Sequence, residues 1–189
     1  MASPNTKRDV SKDYSDLYNT SRQALDGLFN HPDFEFDKNK TYFEPCNGKG
    51  AVSNYVKEVT NVKMVTNELY GYSKTNFTEN FLSPKKKVAK GWNYDIIISN
   101  PPFKIGMEFV EQGFNFAKEQ YQLLRLNFLE GKTRKEKLFS QKHLKRVFIF
   151  SYRISCSKGV EEEPSANAVA YAWYHFDKDY QGDPTIHWI

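Results

Sequence analysis

The sequence predicts a single-domain α/β protein whose sheet is mostly parallel. The chain has 189 residues, close to the length of one domain at about 150 residues per domain. Strand-like and helix-like segments alternate early in the chain, and Asp95-Ile96-Ile97-Ile98 has the apolar run of a parallel strand covered on both faces. The last two strand-like segments have no convincing helix between them, which predicts that the final strand runs antiparallel.

The composition is that of a globular protein in a reducing compartment. Hydrophobic residues make up 39% of the chain and charged residues 26%, and the two cysteines, Cys46 and Cys156, are too few for a disulfide framework or a Cys-rich zinc site. No apolar stretch approaches the roughly 20 residues of a membrane helix, and the amino terminus has no apolar signal core. We therefore expect a cytoplasmic protein with no membrane partner. The net charge of +4 is compatible with an acidic partner but does not require one.

The amino-terminal half is predicted to begin with a flexible arm and to continue as strand and helix units. Residues 1–16 are polar and lack apolar periodicity, so we place the folded domain at residues 17–189. Ser21 precedes an i, i+3, i+4 apolar pattern and predicts a capped helix that ends before Pro32. The other segments predicted here are strands at Thr41–Glu44, Val62–Leu69 and Tyr94–Ile98, and a helix at Ala51–Glu58.

The carboxyl-terminal half is predicted to hold one helix and three strands. Apolar residues recur at helical spacing from Gly106 to Lys118, which indicates a crossover helix. The strands predicted after it are Gln122–Leu129, Arg146–Tyr152 and Ala168–Phe176. A basic segment, Glu130–Lys145, and a polar one, Ser155–Asn167, separate them.

The strongest chemical signal is the tetrapeptide Asn100-Pro101-Pro102-Phe103, directly after the third predicted strand. In open α/β sheets, ligands bind beyond the carboxyl ends of the strands. The prolines lack N–H groups and fix the backbone, so the Asn100 amide oxygen and the Pro101 carbonyl are two acceptors suited to an NH₂ group. Phe103 offers a face for stacking a planar base. A rigid loop after a buried strand is the alternative interpretation.

A glycine-containing loop at the end of the first predicted strand is the second signal. It reads Glu44-Pro45-Cys46-Asn47-Gly48-Lys49-Gly50, and its glycines would let the backbone approach a ligand closely. The dinucleotide fingerprint G-x-G-x-x-G fails because Ser53 stands at its third glycine, and no G-K-[ST] is present. The Glu44 carboxylate would repel phosphate and favour a sulfonium or ammonium ligand. An ordinary strand-to-helix turn would also explain this sequence.

Glu68 is the third signal, because it ends the next predicted strand about 20 residues beyond the glycine loop. An acidic residue in that position can accept the ribose hydroxyls of an adenosine-containing cofactor. A lone Glu at a strand end is more often simply solvated. The three features carry weight through their order: glycine loop, Glu68, then Asn-Pro-Pro-Phe.

This combination resembles the class I S-adenosylmethionine-dependent methyltransferases, and among them the small phage-type enzymes that methylate N6 of adenine in DNA. The resemblance covers nearly the whole chain. It implies a Rossmann-like doubly wound sheet of seven strands with an antiparallel last strand, and no separate target-recognition domain. It also implies S-adenosyl-L-methionine as the cofactor, DNA as the partner, no metal, and the cytoplasm of a bacterial host if the chain is phage-encoded. The motif order places a central strand that ends at Glu44 beside the strand that ends at Ser99.

The resemblance further implies roles for residues that would hold the cofactor. The loop from Glu44 to Gly50 would border its methionine part, and Glu68 would hold its ribose. Tyr18-Asn19-Thr20-Ser21 is similar to the family's Y-x-T-P element, with serine in place of proline, and would meet the cofactor carboxylate. In a segment similar to G-D-F-L, Asn80 stands where Asp is usual and would accept a bond from the cofactor adenine, while Phe81 would pack on its ring. The cofactor-binding residues expected are Tyr18, Thr20, Glu44, Pro45, Cys46, Asn47, Gly48, Gly50, Glu68, Asn80 and Phe81.

The reaction implied by the resemblance is direct methyl transfer. A target adenine, single-stranded or turned out of a duplex, would stack on Phe103 while Asn100 and the Pro101 carbonyl accept its two N6–H bonds. Positioning and charge placement would supply most of the acceleration, with no covalent enzyme intermediate and no metal. The catalytic residues expected are Asn100, Pro101, Pro102 and Phe103.

The basic segment after the Gln122–Leu129 strand supplies the expected nucleic-acid contacts, Lys132, Arg134 and Lys135. These residues would sit on the same rim as Asn100 and neutralise phosphates. A solvated polar loop explains the segment equally well. The four histidines show no metal-ligand spacing, so no metal site is predicted.

Two other functions are compatible with the sequence. Asn-Pro-Pro with a following aromatic residue also occurs in methyltransferases that act on RNA adenine or on protein glutamine, since all three substrates present a planar NH₂ group. The second is a non-catalytic methyltransferase-fold protein that binds nucleic acid, supported only by Asn80 and Ser21. Because no block of the chain is large enough for a target-recognition domain, we expect short or relaxed sequence selectivity, a homodimer, or a partner subunit.

Overall fold

The computed structural model describes residues 18–158 and 169–189, so the predicted arm (1–16) and most of the polar segment 155–167 lie outside it. Five helices and nine strands occur in the described ranges. In chain order they are β1 (Tyr18–Thr20), α1 (Arg22–Phe29), β2 (Tyr42–Glu44), α2 (Ala51–Thr60), β3 (Val65–Thr66), α3 (Lys86–Ala89), β4 (Tyr94–Ser99), α4 (Gly106–Gly113), β5 (Ala117–Arg125), α5 (Lys132–Lys137), β6 (Leu144–Ile149), β7 (Cys156–Lys158), β8 (Tyr171–Asp177) and β9 (Thr185–Trp188).

Seven of the described strands form one sheet in the order β3-β2-β4-β5-β8-β6-β9. Strands β2, β3, β4 and β5 are parallel, and β8 lies antiparallel between β5 and β6. The predicted fold class is confirmed, and the antiparallel strand is the predicted Ala168–Phe176 segment. A further strand, β9, runs parallel to β6 at the edge and was not predicted. The other two strands, β1 and β7, form a separate antiparallel pair.

Helices cover both faces of the sheet, which makes it doubly wound. On one face, apolar residues of α1 and α2 pack against Ile96, Ile98 and Trp173. On the other face, Phe109 and Val110 of α4 belong to two smaller clusters. Side chains of one strand alternate between the two faces, and a parallel strand covered on both sides is therefore apolar throughout.

Local chemistry explains where the first two helices begin. The Ser21 hydroxyl accepts a hydrogen bond of 3.3 Å from the Ala24 N–H and caps α1, as predicted. Gly50 begins α2 with a φ of 87°, a backbone conformation that favours glycine. Both helices bury one face, which includes Leu25 and Leu28 in α1 and Val56 in α2.

Several predicted elements differ from the structure, among them the strand predicted at Val62–Leu69, which is limited to Val65–Thr66. The helix predicted at Gly106–Lys118 ends at Gly113, and the strand predicted at Gln122–Leu129 is Ala117–Arg125, followed by a 3-10 turn. Two buried glutamines, Gln120 and Gln122, interrupt the apolar pattern of this strand, and its first residues were therefore not predicted as strand. The strand that ends at Glu44 lies inside the sheet but one strand from its edge, not at the centre.

Two of the elements missed by the sequence analysis are solvent-facing. Strand β9 alternates polar and apolar residues over only four positions, and its apolar residues Ile186 and Trp188 are exposed, so this short segment has no buried face. The short helix α5 lies within the predicted basic segment and buries none of its residues.

Among the described residues, no helix is both long enough and apolar enough to cross a membrane.

Candidate active site

An open cleft lies beyond the carboxyl ends of β2, β3 and β4. Because these strands are parallel neighbours, the loops that follow them meet at one edge of the sheet. The cleft measures about 880 Å³ including its open mouth. The predicted site residues that line it are Tyr18, Thr20, Glu44, Pro45, Cys46, Asn47, Gly48, Glu68, Asn80, Phe81, Asn100 and Pro102; Gly50, Pro101 and Phe103 do not line it.

Glu68 fixes the glycine loop from the neighbouring strand. Its Oε2 accepts a hydrogen bond of 2.7 Å from the Gly48 N–H, and its Oε1 accepts one of 3.0 Å from the Tyr70 N–H. Gly48 has a φ of 51°, so the loop turns sharply at this contact. A carboxylate oxygen has more than one acceptor position, so Glu68 can receive a further donor from the cleft.

Glu44 is a carboxyl group buried at the base of the cleft, where its side chain and backbone are only 1% exposed. Its Oε1 accepts hydrogen bonds from the Ser99 hydroxyl at 2.6 Å and from the Cys46 N–H at 3.2 Å. Burial nevertheless raises the pKa of Glu44 to about 8. The group is therefore neutral at pH 7 until a cation in the cleft favours its charged form.

Cys46 lines the cleft as a small side chain. Its Sγ lies 2.9 Å from Ser99 Oγ and 3.4 Å from the Asn100 carbonyl. Burial raises the pKa of this thiol, which opposes formation of a nucleophilic thiolate. The structure thus favours the lining role over a nucleophilic one.

The Asn100 side chain is held in one orientation by the first strand. Its Nδ2 donates hydrogen bonds to the Tyr18 carbonyl at 3.0 Å and to Thr20 Oγ1 at 3.1 Å. A carbonyl can only accept, so the amide nitrogen must face Tyr18 and the amide oxygen must point away from it. Asn100 Oδ1 is buried and has no hydrogen-bond partner within the described part of the chain. A buried acceptor without a donor is costly, and the residue that carries this one lines the cleft.

The pair formed by β1 and β7 explains why Tyr18 and Thr20 reach Asn100. Tyr18 lies opposite Lys158 and Thr20 opposite Cys156 in the antiparallel ladder. The sequence analysis expected these two residues at the cofactor and missed their bonds to Asn100, because no local pattern reveals a partner about 80 residues away.

Phe103 lies beside the cleft in an aromatic cluster. Its ring centroid is 4.8 Å from that of Tyr18 and 5.3 Å from that of Tyr171. The Arg125 guanidinium lies 5.1 Å from the Phe103 ring centroid. The stacking of Phe103 on a target base stays a prediction. The Pro102 carbonyl accepts a hydrogen bond from the Ile105 N–H, which leaves the Pro101 carbonyl as the predicted backbone acceptor.

Known proteins match this chain in structure and not in sequence. No protein-family model and no curated protein matches it. A type I restriction-modification methyltransferase subunit from Streptococcus thermophilus is 13% identical, with a TM-score of 0.65 over 87% of this chain and 46% of that one. A modification subunit of a putative type I restriction enzyme from Vibrio vulnificus is 14% identical, with a TM-score of 0.59 over 90% and 47%. A putative class I S-adenosylmethionine-dependent methyltransferase from Listeria monocytogenes is 11% identical, with a TM-score of 0.58 over 88% and 62%.

The chain has the class I methyltransferase fold. It spans about half the length of the two restriction-modification subunits. Within this methyltransferase fold, the cleft lies at the carboxyl ends of the strands, where such sheets place their ligands.

Asn67 is a site residue that the sequence analysis missed. Its Nδ2 donates to the carbonyls of Pro45 at 2.9 Å and Glu79 at 3.0 Å, and its Oδ1 accepts from the Glu79 N–H at 2.9 Å. It therefore joins the loop after β3 to the glycine loop and to the segment that contains Glu79. Tyr70 and Tyr72, which flank Gly71, were also missed, and both are exposed beside Glu68. Their sequence signal is a pair of aromatic residues around a glycine, directly after the acidic residue.

The three predicted basic residues lie on α5, outside the cleft. Lys132 and Lys135 are exposed, and Lys132 pairs with Glu136 at 3.8 Å. Arg134 points elsewhere, into a recess that it shares with Phe103. The structure therefore brings one of the three next to the Asn-Pro-Pro-Phe segment.

Two histidines that lie far apart in sequence form a small polar cluster with Asp33. Asp33 Oδ2 lies 3.0 Å from His187 Nδ1 and 3.7 Å from His31 Nδ1. The three side chains could together hold a metal ion, a possibility that spacing within the sequence does not reveal. Their mutual contacts tie β9 to the loop after α1, and none of the three lines the cleft.

Proposed function

We propose that this chain transfers a methyl group from S-adenosyl-L-methionine to the N6 amino group of adenine in DNA. The observation that carries the proposal is the buried Oδ1 of Asn100, which has an enforced orientation and no donor in the described part of the chain. An NH₂ group held beside this oxygen supplies the missing donor. The following prolines keep the backbone from forming helix hydrogen bonds at this point.

The cleft residues fit S-adenosylmethionine, which supplies a methyl group on a positively charged sulfur. Glu44 is a buried acid beside the glycine loop, and it gains a cation when the sulfonium or ammonium group enters. Glu68, already fixed by Gly48, has acceptor capacity left for the ribose hydroxyls. Asn80 and Phe81 line the cleft, where they would meet the adenine ring.

The target amino group would be positioned by Asn100 Oδ1 and the Pro101 carbonyl. Two acceptors on the N6–H bonds concentrate the nitrogen lone pair on the side that faces the methyl group. S-adenosylmethionine would supply the methyl group there, with the N–C bond forming as the S–C bond breaks, and N6 would then lose one proton. This chain's contribution is orientation and electrostatics in a partly dehydrated site.

Two considerations favour DNA as the substrate over RNA or protein. Two structural neighbours are subunits of restriction-modification systems, and such systems act on DNA. The basic residues Lys132, Arg134 and Lys135 also lie on α5 after β5, and Arg134 shares a recess with Phe103, where phosphates would pass. We also propose that a second copy or a partner subunit contributes to target selection.

The test is methyl transfer from labelled S-adenosylmethionine to duplex DNA, single-stranded DNA, RNA and a protein extract. Mass spectrometry of the digested products identifies the modified nucleoside or amino acid. We expect N6-methyladenine in at least one DNA sample. Label in RNA adenine or in glutamine alone would contradict the DNA assignment, and absence of transfer by a protein that binds the cofactor would contradict the activity.

A further inference from the structure

A second recess lies beside the cleft and shares the Asn-Pro-Pro-Phe segment with it. Asn100 and Pro102 line the cleft, whereas Phe103 lines the recess. The recess measures about 500 Å³ including its mouth. Its other lining residues are Leu124, Arg125, Asn127, Phe128 and Arg134.

Two arginine side chains are held against aromatic rings in this recess. The Arg125 guanidinium lies 5.1 Å from the Phe103 ring centroid, and that of Arg134 lies 5.2 Å from the Phe128 ring centroid. Arg134 is fixed further because its Nε donates to the Phe128 carbonyl at 2.8 Å. Stacked guanidinium groups are already ordered, so less side-chain entropy is lost when they bind a ligand.

The recess holds positive charge without a counter-charge. None of the residues that line it is acidic, and neither arginine forms an ion pair with another residue in ranges 18–158 and 169–189. Arg125 Nε is moreover buried with no hydrogen-bond partner in those ranges. A buried N–H without an acceptor is unfavourable, and two arginines without a carboxylate attract an anion.

We propose that this recess binds a backbone phosphodiester next to the target nucleotide. The proposal rests on the proposed function and adds a binding site to it. The planar fork of an arginine matches the oxygens of a phosphate group and can contact two of them. Because Phe103 joins the recess to the segment that holds the target base, a phosphate in the recess belongs to the same or an adjacent nucleotide.

The test uses a short fluorescent single-stranded oligonucleotide with one adenine, and a series in which one linkage at a time is a neutral methylphosphonate. Dissociation constants are measured by anisotropy for the wild type, Arg125→Met and Arg134→Met. Arg22→Met is the matched control, because Arg22 is exposed, pairs with Glu58 and lies outside the recess. Cofactor affinity of each variant shows that it is folded.

In the wild type, one neutral linkage beside the adenine should weaken binding about tenfold, the usual effect of losing one charge-assisted hydrogen bond. This penalty should vanish in Arg125→Met, shrink in Arg134→Met and persist in Arg22→Met. A penalty that persists in both recess variants overturns the proposal. If Arg125→Met does not fold, Arg134→Met decides alone.

Methyl transfer to the unmodified oligonucleotide is measured in parallel and separates the two proposals. The predicted linkage pattern without any transfer would support the phosphate site and contradict the enzymatic function. Methyl transfer by the wild type, together with a neutral-linkage penalty that the arginine variants leave unchanged, would support the enzymatic function and contradict the phosphate site. A wild-type protein that binds no oligonucleotide overturns the phosphate site.

Discussion

Two polar residues with buried side-chain oxygens line the cleft, and each could gain an interaction from a ligand. Asn100 Oδ1 has an enforced direction and no donor in the described ranges, and Glu44 is an acid without a cation. A buried acceptor without a donor is unfavourable, and burial disfavours the charged form of Glu44, so specific ligand atoms would relieve both. An amino group would satisfy the first, and a sulfonium or ammonium group the second.

Binding of S-adenosylmethionine at pH 7 should release a proton from Glu44. Burial raises the pKa of Glu44 to about 8 in the free protein, and a cationic ligand lowers it again. The affinity contributed by Glu44 therefore rises as pH increases towards 8. The pKa of Glu44 in the folded protein also lies above its value of 4.5 in the unfolded chain. The free protein therefore loses stability as pH rises from about 4.5 to about 8.

Calorimetric titration in two buffers of different ionisation enthalpy measures this proton. Glu44→Gln should bind the cofactor without releasing it. The ligand's own ammonium group titrates equally with both proteins, so the difference between them reports Glu44. Equal proton release by wild type and variant would contradict the assignment.

At the level of elements, the short strand β1 acts through its position against Asn100. Its neighbour β7 holds it in place, and its residues Tyr18 and Thr20 receive the two Asn100 N–H bonds. A three-residue strand contributes little apolar burial, yet it determines which amide atom of Asn100 faces β1 and which one points away from it.

Thr20→Val should lower kcat about tenfold, because one Asn100 N–H loses its acceptor and the amide is held less firmly. Thr20→Ser keeps the hydroxyl and should restore most of the rate. If Thr20 had only a structural role, both variants would lose thermal stability and their kcat values would not differ. Steady-state kinetics with kcat and KM determined separately, beside thermal unfolding of both variants, checks this. Equal kcat for valine and serine variants would show that the hydroxyl does not position Asn100.

The elements that the sequence predicted are those specified by neighbouring residues. Helix α1 has a serine cap, and β4 has three consecutive isoleucines. In contrast, β5 contains the buried polar residue Gln120. Its Nε2 donates to the Val110 carbonyl at 3.0 Å, and this bond to a distant segment allows a polar side chain to be buried in a strand. Strand β9 was missed because its pairing with β6 depends on contacts across the fold.

For the whole molecule, the fold and the three motif loops followed from the sequence because the order of strands and loops is local information. The partners of Asn100, the bridging role of Asn67 and the recess at Arg125 did not follow. Each depends on contacts between segments distant in the chain, which a single sequence does not specify.

A charged network across the sheet should make the molecule acid-sensitive. Glu119 of β5 accepts from His175 at 3.1 Å and from Lys40 at 3.0 Å, and these contacts hold its pKa at about 2. Because this value lies below the unfolded one, the stabilisation is complete above about pH 5 and is lost as pH falls towards 2. Burial lowers the pKa of His175, which favours its neutral form.

Glu119→Gln should therefore unfold more easily than the wild type at pH 7, by about 2 to 3 kcal/mol, with a difference that shrinks as pH falls from 5 to 2. Urea unfolding at a series of pH values measures it. Glu111→Gln, an exposed residue of α4, is the control and should change little. A difference independent of pH would show that the carboxylate's charge does not stabilise the sheet.

The central claim is that the Asn100 amide oxygen holds the amino group that receives the methyl. Single-turnover methyl transfer to an oligonucleotide with one adenine tests it most directly, with cofactor affinity measured on the same samples and Asn115→Ala, an exposed asparagine, as the control. Asn100→Ala should lose at least about a hundredfold in rate, the scale of removing an electrostatic contact made in the transition state, and bind the cofactor nearly as well as the wild type. Equal rates for Asn100→Ala and the wild type would contradict the account.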